Sequence, residues 1–110
     1  VARMLEALTD QVTYCYDALS AVPGLSVPRP RGAFYLFPRV DRLTDSFALA
    51  LALLNEERVS VAPGVAFGNG GEGAFRICAA ADRSILEPAM DRIIRFLASC
   101  DPSKLARAPE

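Results

Sequence analysis

The segment VSVAPGVAFGNGGEGAFRICA, residues 59–79, decides how this chain is read. Its opening residues are apolar, Pro63-Gly64 turns the backbone, a glycine-rich loop follows, and a second apolar run carries one arginine, Arg76. That order spells strand, turn, loop, strand. An arginine in such company is costly unless a carboxylate or phosphate meets it, because a buried guanidinium without a partner loses more hydration than packing returns. If the partner is a substrate, the strand is a binding site. With a period of two, Phe75, Ile77 and Ala79 face one side while Ala74, Arg76 and Cys78 face the other. The bulky side is the expected core face. The opposite side has room for a planar fork to meet a carboxylate in two parallel hydrogen bonds. Alternation alone leaves a second possibility open, a solvent-facing arginine that only keeps the strand soluble.

Gly68, Gly70 and Gly73 match the G-x-G-x-x-G dinucleotide pattern in letters. The mechanism behind that pattern needs a helix N-terminus directly after the glycines, aimed at a pyrophosphate. Here a strand follows, so the loop reads as a turn between two strands. Cys78, beside Arg76 in the alternation, reads as a small buried side chain rather than a reactive thiol.

Outward from this segment, Val1, Leu5, Leu8, Val12, Cys15 or Tyr16, and Leu19 recur at steps of three and four, the apolar stripe of a helix. Pro23-Gly24 ends it, and residues 25–27 are a short extended piece. Residues 33–37, rich in aromatics and bounded by Gly32 and Pro38, read as a strand. Aromatic residues there are ordinarily core, although Phe34 could line a pocket. Thr44, Asp45 and Ser46 are cap candidates for a helix over residues 47–57, apolar around most of its circumference and therefore expected to be covered on more than one side. Asp41, Asp45, Glu56 and Glu57 read as surface charges flanking that helix. Asp82 or Ser84 can cap a final helix whose buried stripe is Ile85, Ala89, Ile93, Phe96 and Leu97. The order is helix, strand, strand, helix, strand, strand, helix. The fold expected is α+β, a small mostly antiparallel or mixed sheet with helices packed on one face. Residues 1–100 form one domain, and 101–110 are a polar, frayed tail. Val1 falls inside a helix with no capping residue ahead of it, so the chain is expected to be an N-terminally truncated piece of something longer.

The composition narrows function mainly by exclusion. A chain of 110 residues, 52% hydrophobic with net charge −1, is a globular domain with no polybasic patch for nucleic acid or a membrane surface. Three scattered cysteines and no histidine rule out a zinc site or a Cys-His or Ser-His pair within the chain. Free thiols fit a reducing cytosol, so a cytoplasmic location is expected. The cations are eleven arginines and a single lysine, Lys104.

Two blocks together carry a resemblance: PRGAFYLFP (30–38), then a helix, then VSVAPGVAFG (59–68) with GAFRI (73–77). In order and spacing they resemble the C-terminal small domain of the pyridoxal-phosphate-dependent class I/II aminotransferases, of the aspartate-aminotransferase-like fold type I, over residues 1–97. The resemblance implies that Arg76 pairs with the α-carboxylate of the amino acid, that Phe34 comes near the substrate, and that Pro63 and Gly64 form a structural turn. It implies transfer of an amino group between an amino acid and a 2-oxo acid, pyridoxal 5'-phosphate as cofactor, and a homodimer for the full-length enzyme. No catalytic residue is expected here. Lys104, in a polar Pro-containing tail, does not match the lysine that carries the cofactor, and no aspartate matches the partner of the pyridine nitrogen. Those groups belong to a large domain, so this chain alone is expected to be inactive. A fold-type-I lyase (C–S lyase or decarboxylase) is the alternative within the family. A stand-alone amino-acid-binding or interaction module is the alternative outside it.

Overall fold

A computed structural model of the chain describes residues 2–30 and 34–105. Val1, the block residues Arg31, Gly32 and Ala33, and residues 106–110 of the expected tail lie outside the described residues. Helix α1 (Ala2–Ser20) is followed by β1 (Leu25–Ser26), β2 (Tyr35–Leu36) and β3 (Arg39–Val40). Helix α2 (Ser46–Ala52) runs into one wider turn at Leu53–Glu57, then β4 (Ala62–Pro63), β5 (Phe75–Cys78) and helix α3 (Arg83–Ser99) complete the fold. All the strand pairings are antiparallel, β1 with β3 and β2-β5-β4 in order, so the fold is α+β with antiparallel sheets.

One register organises the site. Tyr35 pairs with Cys78 and Leu36 with Ile77. The same register continues past the strand ends, where Ala79 N–H donates to the Phe34 carbonyl at 2.7 Å, Phe75 N–H to Pro38 at 3.1 Å, and Val40 N–H to Gly73 at 2.8 Å. Residues 34–40 therefore run beside 73–79 in step, with Phe37 opposite Arg76. On one face Leu36, Pro38, Val40, Phe75 and Ile77 are buried; on the other Tyr35, Phe37 and Arg39 are exposed and Arg76 is half-buried. This is the period-two pattern of a sheet with a single core face.

The core joins that inner face to Cys15 and Leu19 of α1, Leu49 and Leu53 near α2, and Leu86, Met90, Ile93, Phe96 and Leu97 of α3. Cys15 and Leu19 lie on the stripe expected for the first helix. Burial pushes the Cys15 thiol up to about 11, so it stays protonated at neutral pH.

Several local expectations are corrected. The last helix buries Leu86 and Met90, whereas Ile85 is 61% exposed. A stripe at 86, 90, 93 and 97 has the same helical spacing, so periodicity did not separate the two phases. The strand expected at the opening of the 59–79 segment is only Ala62–Pro63; Val59 is buried in the core but its N–H closes the wide turn on the Leu53 carbonyl at 3.2 Å. The pairing of β3 with β1 was not foreseen, because Pro38 breaks the sequence pattern without breaking the ladder. Asp45 does cap α2, its Oδ1 accepting from Ala48 N–H at 3.0 Å. The helix it begins leaves Phe47, Leu51 and Leu54 exposed at 39%, 41% and 47%. At the start of the expected tail stands a short 3-10 turn, Pro102–Lys104; Asp101 ahead of it accepts from both the hydroxyl and the N–H of Ser103 and faces Arg42 at 3.7 Å.

Candidate substrate-docking site

The outward face of the 34–40/73–79 ladder carries a row of aromatic side chains around Arg76. Its guanidinium carbon lies 4.4 Å from the centre of the Tyr35 ring and 4.5 Å from that of Phe67. Tyr35 reaches it diagonally across the ladder. Phe67 arrives from the short 3-10 turn Gly64–Phe67 that follows β4, and its ring meets Phe37 edge-on, with centroids 5.5 Å apart at 82°. Each cation–π contact at such a half-exposed position contributes about 0.5–1 kcal/mol. Among the described residues no carboxylate pairs with Arg76. Its charge is held by ring faces alone, which leaves the N–H edge of the fork for something else.

The glycine loop is built to hold Phe67 in place. It forms two 3-10 turns, Gly64–Phe67 and Asn69–Gly71, packed backbone to backbone. A Cβ on Gly64 would stand 1.8 Å from the Gly71 carbonyl oxygen and 2.5 Å from that of Ala74, so only glycine fits. The fully buried Ser46 accepts from Val65 N–H through Oγ at 3.0 Å, and the Glu72 carboxylate accepts from Ser46 N–H. That bond from the first turn of α2 holds the Glu72 carboxyl below the usual glutamate range. Arg39 donates to the carbonyls of Gly70 and Glu72 at 3.0 and 3.1 Å. β5 follows the glycines directly, so the helix that a dinucleotide pattern requires is absent at that point.

Of the residues singled out in the sequence, Arg76 stands at the centre of this face. Phe34 stands opposite Ala79, three positions along the ladder, is half-buried, and the alternation assigns it to the side of Leu36. Cys78 is exposed rather than buried, because its register partner is the outward Tyr35. Ala74 is 2% exposed, covered by the glycine turns, although it shares the parity of Arg76. Tyr35, Phe37 and Phe67 were missed: aromatic residues in a strand read as core, and nothing in the spacing ties Phe67 to Arg76.

Lys104 is exposed in the C-terminal turn beside Asp101, on a different element from the Arg76 face. Among the described residues no cluster of three or more His, Cys, Asp or Glu could hold a metal, and no helix is long and apolar enough to cross a membrane.

Residues 1–93 match the family model of class I and II aminotransferases. The chain belongs to that family. It is 39% identical over 103 residues to an aspartate aminotransferase of Bacillus sp. (strain YM-2), a match covering 88% of this chain and 26% of the relative. Among solved structures it superposes on the alanine aminotransferase of Pyrococcus furiosus with a TM-score of 0.85 and 32% identity, over 90% of this chain and 26% of the other. A PLP-bound protein of Clostridium difficile 630, described as an aminotransferase, matches with a TM-score of 0.76 and 27% identity, over 87% of this chain and 25% of that one. The chain thus spans about a quarter of the length of the relatives it matches.

Proposed function

We propose that this chain is the substrate-docking small domain of a PLP-dependent transaminase, which transfers an amino group between an amino acid and a 2-oxo acid. The observation that carries this reading is the unpaired fork of Arg76, presented on an aromatic face with its donors free. A carboxylate is the partner that a planar guanidinium meets best, through two parallel charge-assisted bonds. Docking there fixes one end of the amino acid and so orients its Cα for chemistry supplied elsewhere. Phe34, on the same ladder but on the side of Leu36, is assigned only an indirect part, through its packing beneath the strand that carries Arg76.

In this reading PLP and the lysine that holds it belong to a large domain outside the residues of this chain, and the isolated chain is inactive. The full enzyme is taken to be a cytoplasmic homodimer acting on amino acid and 2-oxo acid, with neither nucleic acid nor membrane as partner.

The test is kinetic and uses the holoenzyme. Arg76→Ala should raise KM for amino donors by about 10²–10³-fold, the loss expected when one partner of a hydrogen-bonded charge pair is removed. Phe34→Ala should raise it by only about threefold, the size of one modest packing contact. An Arg76→Ala enzyme with unchanged kcat/KM for every amino donor overturns the assignment. Formation of a new amino acid from an added 2-oxo acid supports transfer, whereas pyruvate with ammonia would point to a lyase.

A further inference from the structure

We infer that Tyr35 and Phe67 are positioning residues for Arg76: their rings pre-set its guanidinium for a carboxylate, so part of the ordering cost is met in folding rather than in binding. This rests on the docking role of Arg76 proposed above. An arginine on a half-exposed strand with no acidic partner has many rotamers, and ordering such a side chain on binding weakens affinity. Here two rings from separate parts of the chain converge on one guanidinium at 4.4 and 4.5 Å. Tyr35 comes from β2, and Phe67 comes from a turn 32 positions further along the sequence.

Neither ring is loosely placed. The backbone of Tyr35 is fixed by its pairing with Cys78, which sets the ring on the outward face diagonal to Arg76. Phe67 is braced edge-on by Phe37, and its turn is pinned by the bonds from Val65 to Ser46 and from Gly68 to Val65. The geometry divides the guanidinium between two kinds of contact that do not compete. Aromatic faces act on the flat side of the cation, while a carboxylate needs the N–H groups along its edge. The rings also displace water from the flat side, which strengthens an ionic bond made at the edge.

The experiment compares single substitutions in the holoenzyme by steady-state kinetics, together with the Ki of succinate as a carboxylate probe and the PLP content per chain. Tyr35→Leu and Phe67→Leu should each raise KM for the amino donor and Ki for succinate about three- to tenfold, with kcat within twofold and PLP content unchanged. The ring-conserving Tyr35→Phe and Phe67→Tyr should stay within twofold of the wild type. KM and Ki unchanged in both leucine variants, in an enzyme where Arg76→Ala does raise them, would overturn the positioning role and leave the docking role standing. A fall in kcat or in PLP content as large as the change in KM, or a failure of the ring-conserving variants to restore it, would also overturn it by marking the rings as structural. If Arg76→Ala itself leaves KM unchanged, the docking role falls and the positioning role falls with it.

Discussion

Arg39 and Arg76 stand on the same outward face of one ladder, and the fold uses them in opposite ways. Arg39 spends its donors on the carbonyls of Gly70 and Glu72, tying the glycine loop to the sheet. Arg76, three residues after the last glycine of that loop, meets only ring faces and keeps its donors unspent. Residue type and sheet face are alike at the two positions, so neither distinguishes a structural cation from an available one. The distinction lies in what faces the N–H edge: backbone carbonyls satisfy it, whereas aromatic rings hold the charge and leave the edge open.

The comparison can be broken from either side. The largest effect on stability should come from Gly64→Ala, which drives a Cβ into the Gly71 and Ala74 carbonyls and displaces the turn on which both arginines depend. Since both obstacles are backbone, a loss of about 3 kcal/mol is expected in denaturant titration, at the upper end of overpacking costs. A variant as stable as the wild type would mean that the two turns are not held by close backbone contact. Arg39→Ala should cost about 1 kcal/mol, the net value of a few exposed hydrogen bonds, while changing KM far less than Arg76→Ala does. The reverse ranking of the two arginines in KM would erase the contrast between them.

The smallest effect is a pH dependence. Ser46 N–H holds the Glu72 carboxyl lower in the folded chain than in the unfolded one. The unfolded state therefore takes up the proton first, so this contribution is fully present at neutral pH and is lost as pH falls through the lowered folded value. Denaturation midpoints followed from pH 7 into the acid range should drop more steeply for the wild type than for Glu72→Gln. Parallel curves would remove Glu72 from the clamp on the loop.

Much of this was legible in residues 73–79, where a strict alternation of bulky and small or charged side chains separates Phe75 and Ile77 from Arg76 before any coordinates. The two blocks that flank the second helix carried the family as well. What the sequence concealed has physical reasons. Tyr35 and Phe37 point outward in a segment whose aromatic content reads as core, because hydrophobic residues on an outward face and in an interior look the same as letters. Phe67 reaches Arg76 only because glycine turns fold the chain back, and 3-10 turns carry no apolar period to detect. Pro38 masks the continuity of the ladder from β2 into β3: it ends the strand pattern in sequence, yet its carbonyl still accepts from Phe75.

The most direct measurement is a crystal structure of the holoenzyme with a 2-oxo acid bound. Two oxygens of its carboxylate should lie within hydrogen-bond distance of the Arg76 fork, with Tyr35 and Phe67 still over the guanidinium. A bound acid whose carboxylate sits on another cation, leaving Arg76 against its rings and otherwise untouched, would contradict the docking role.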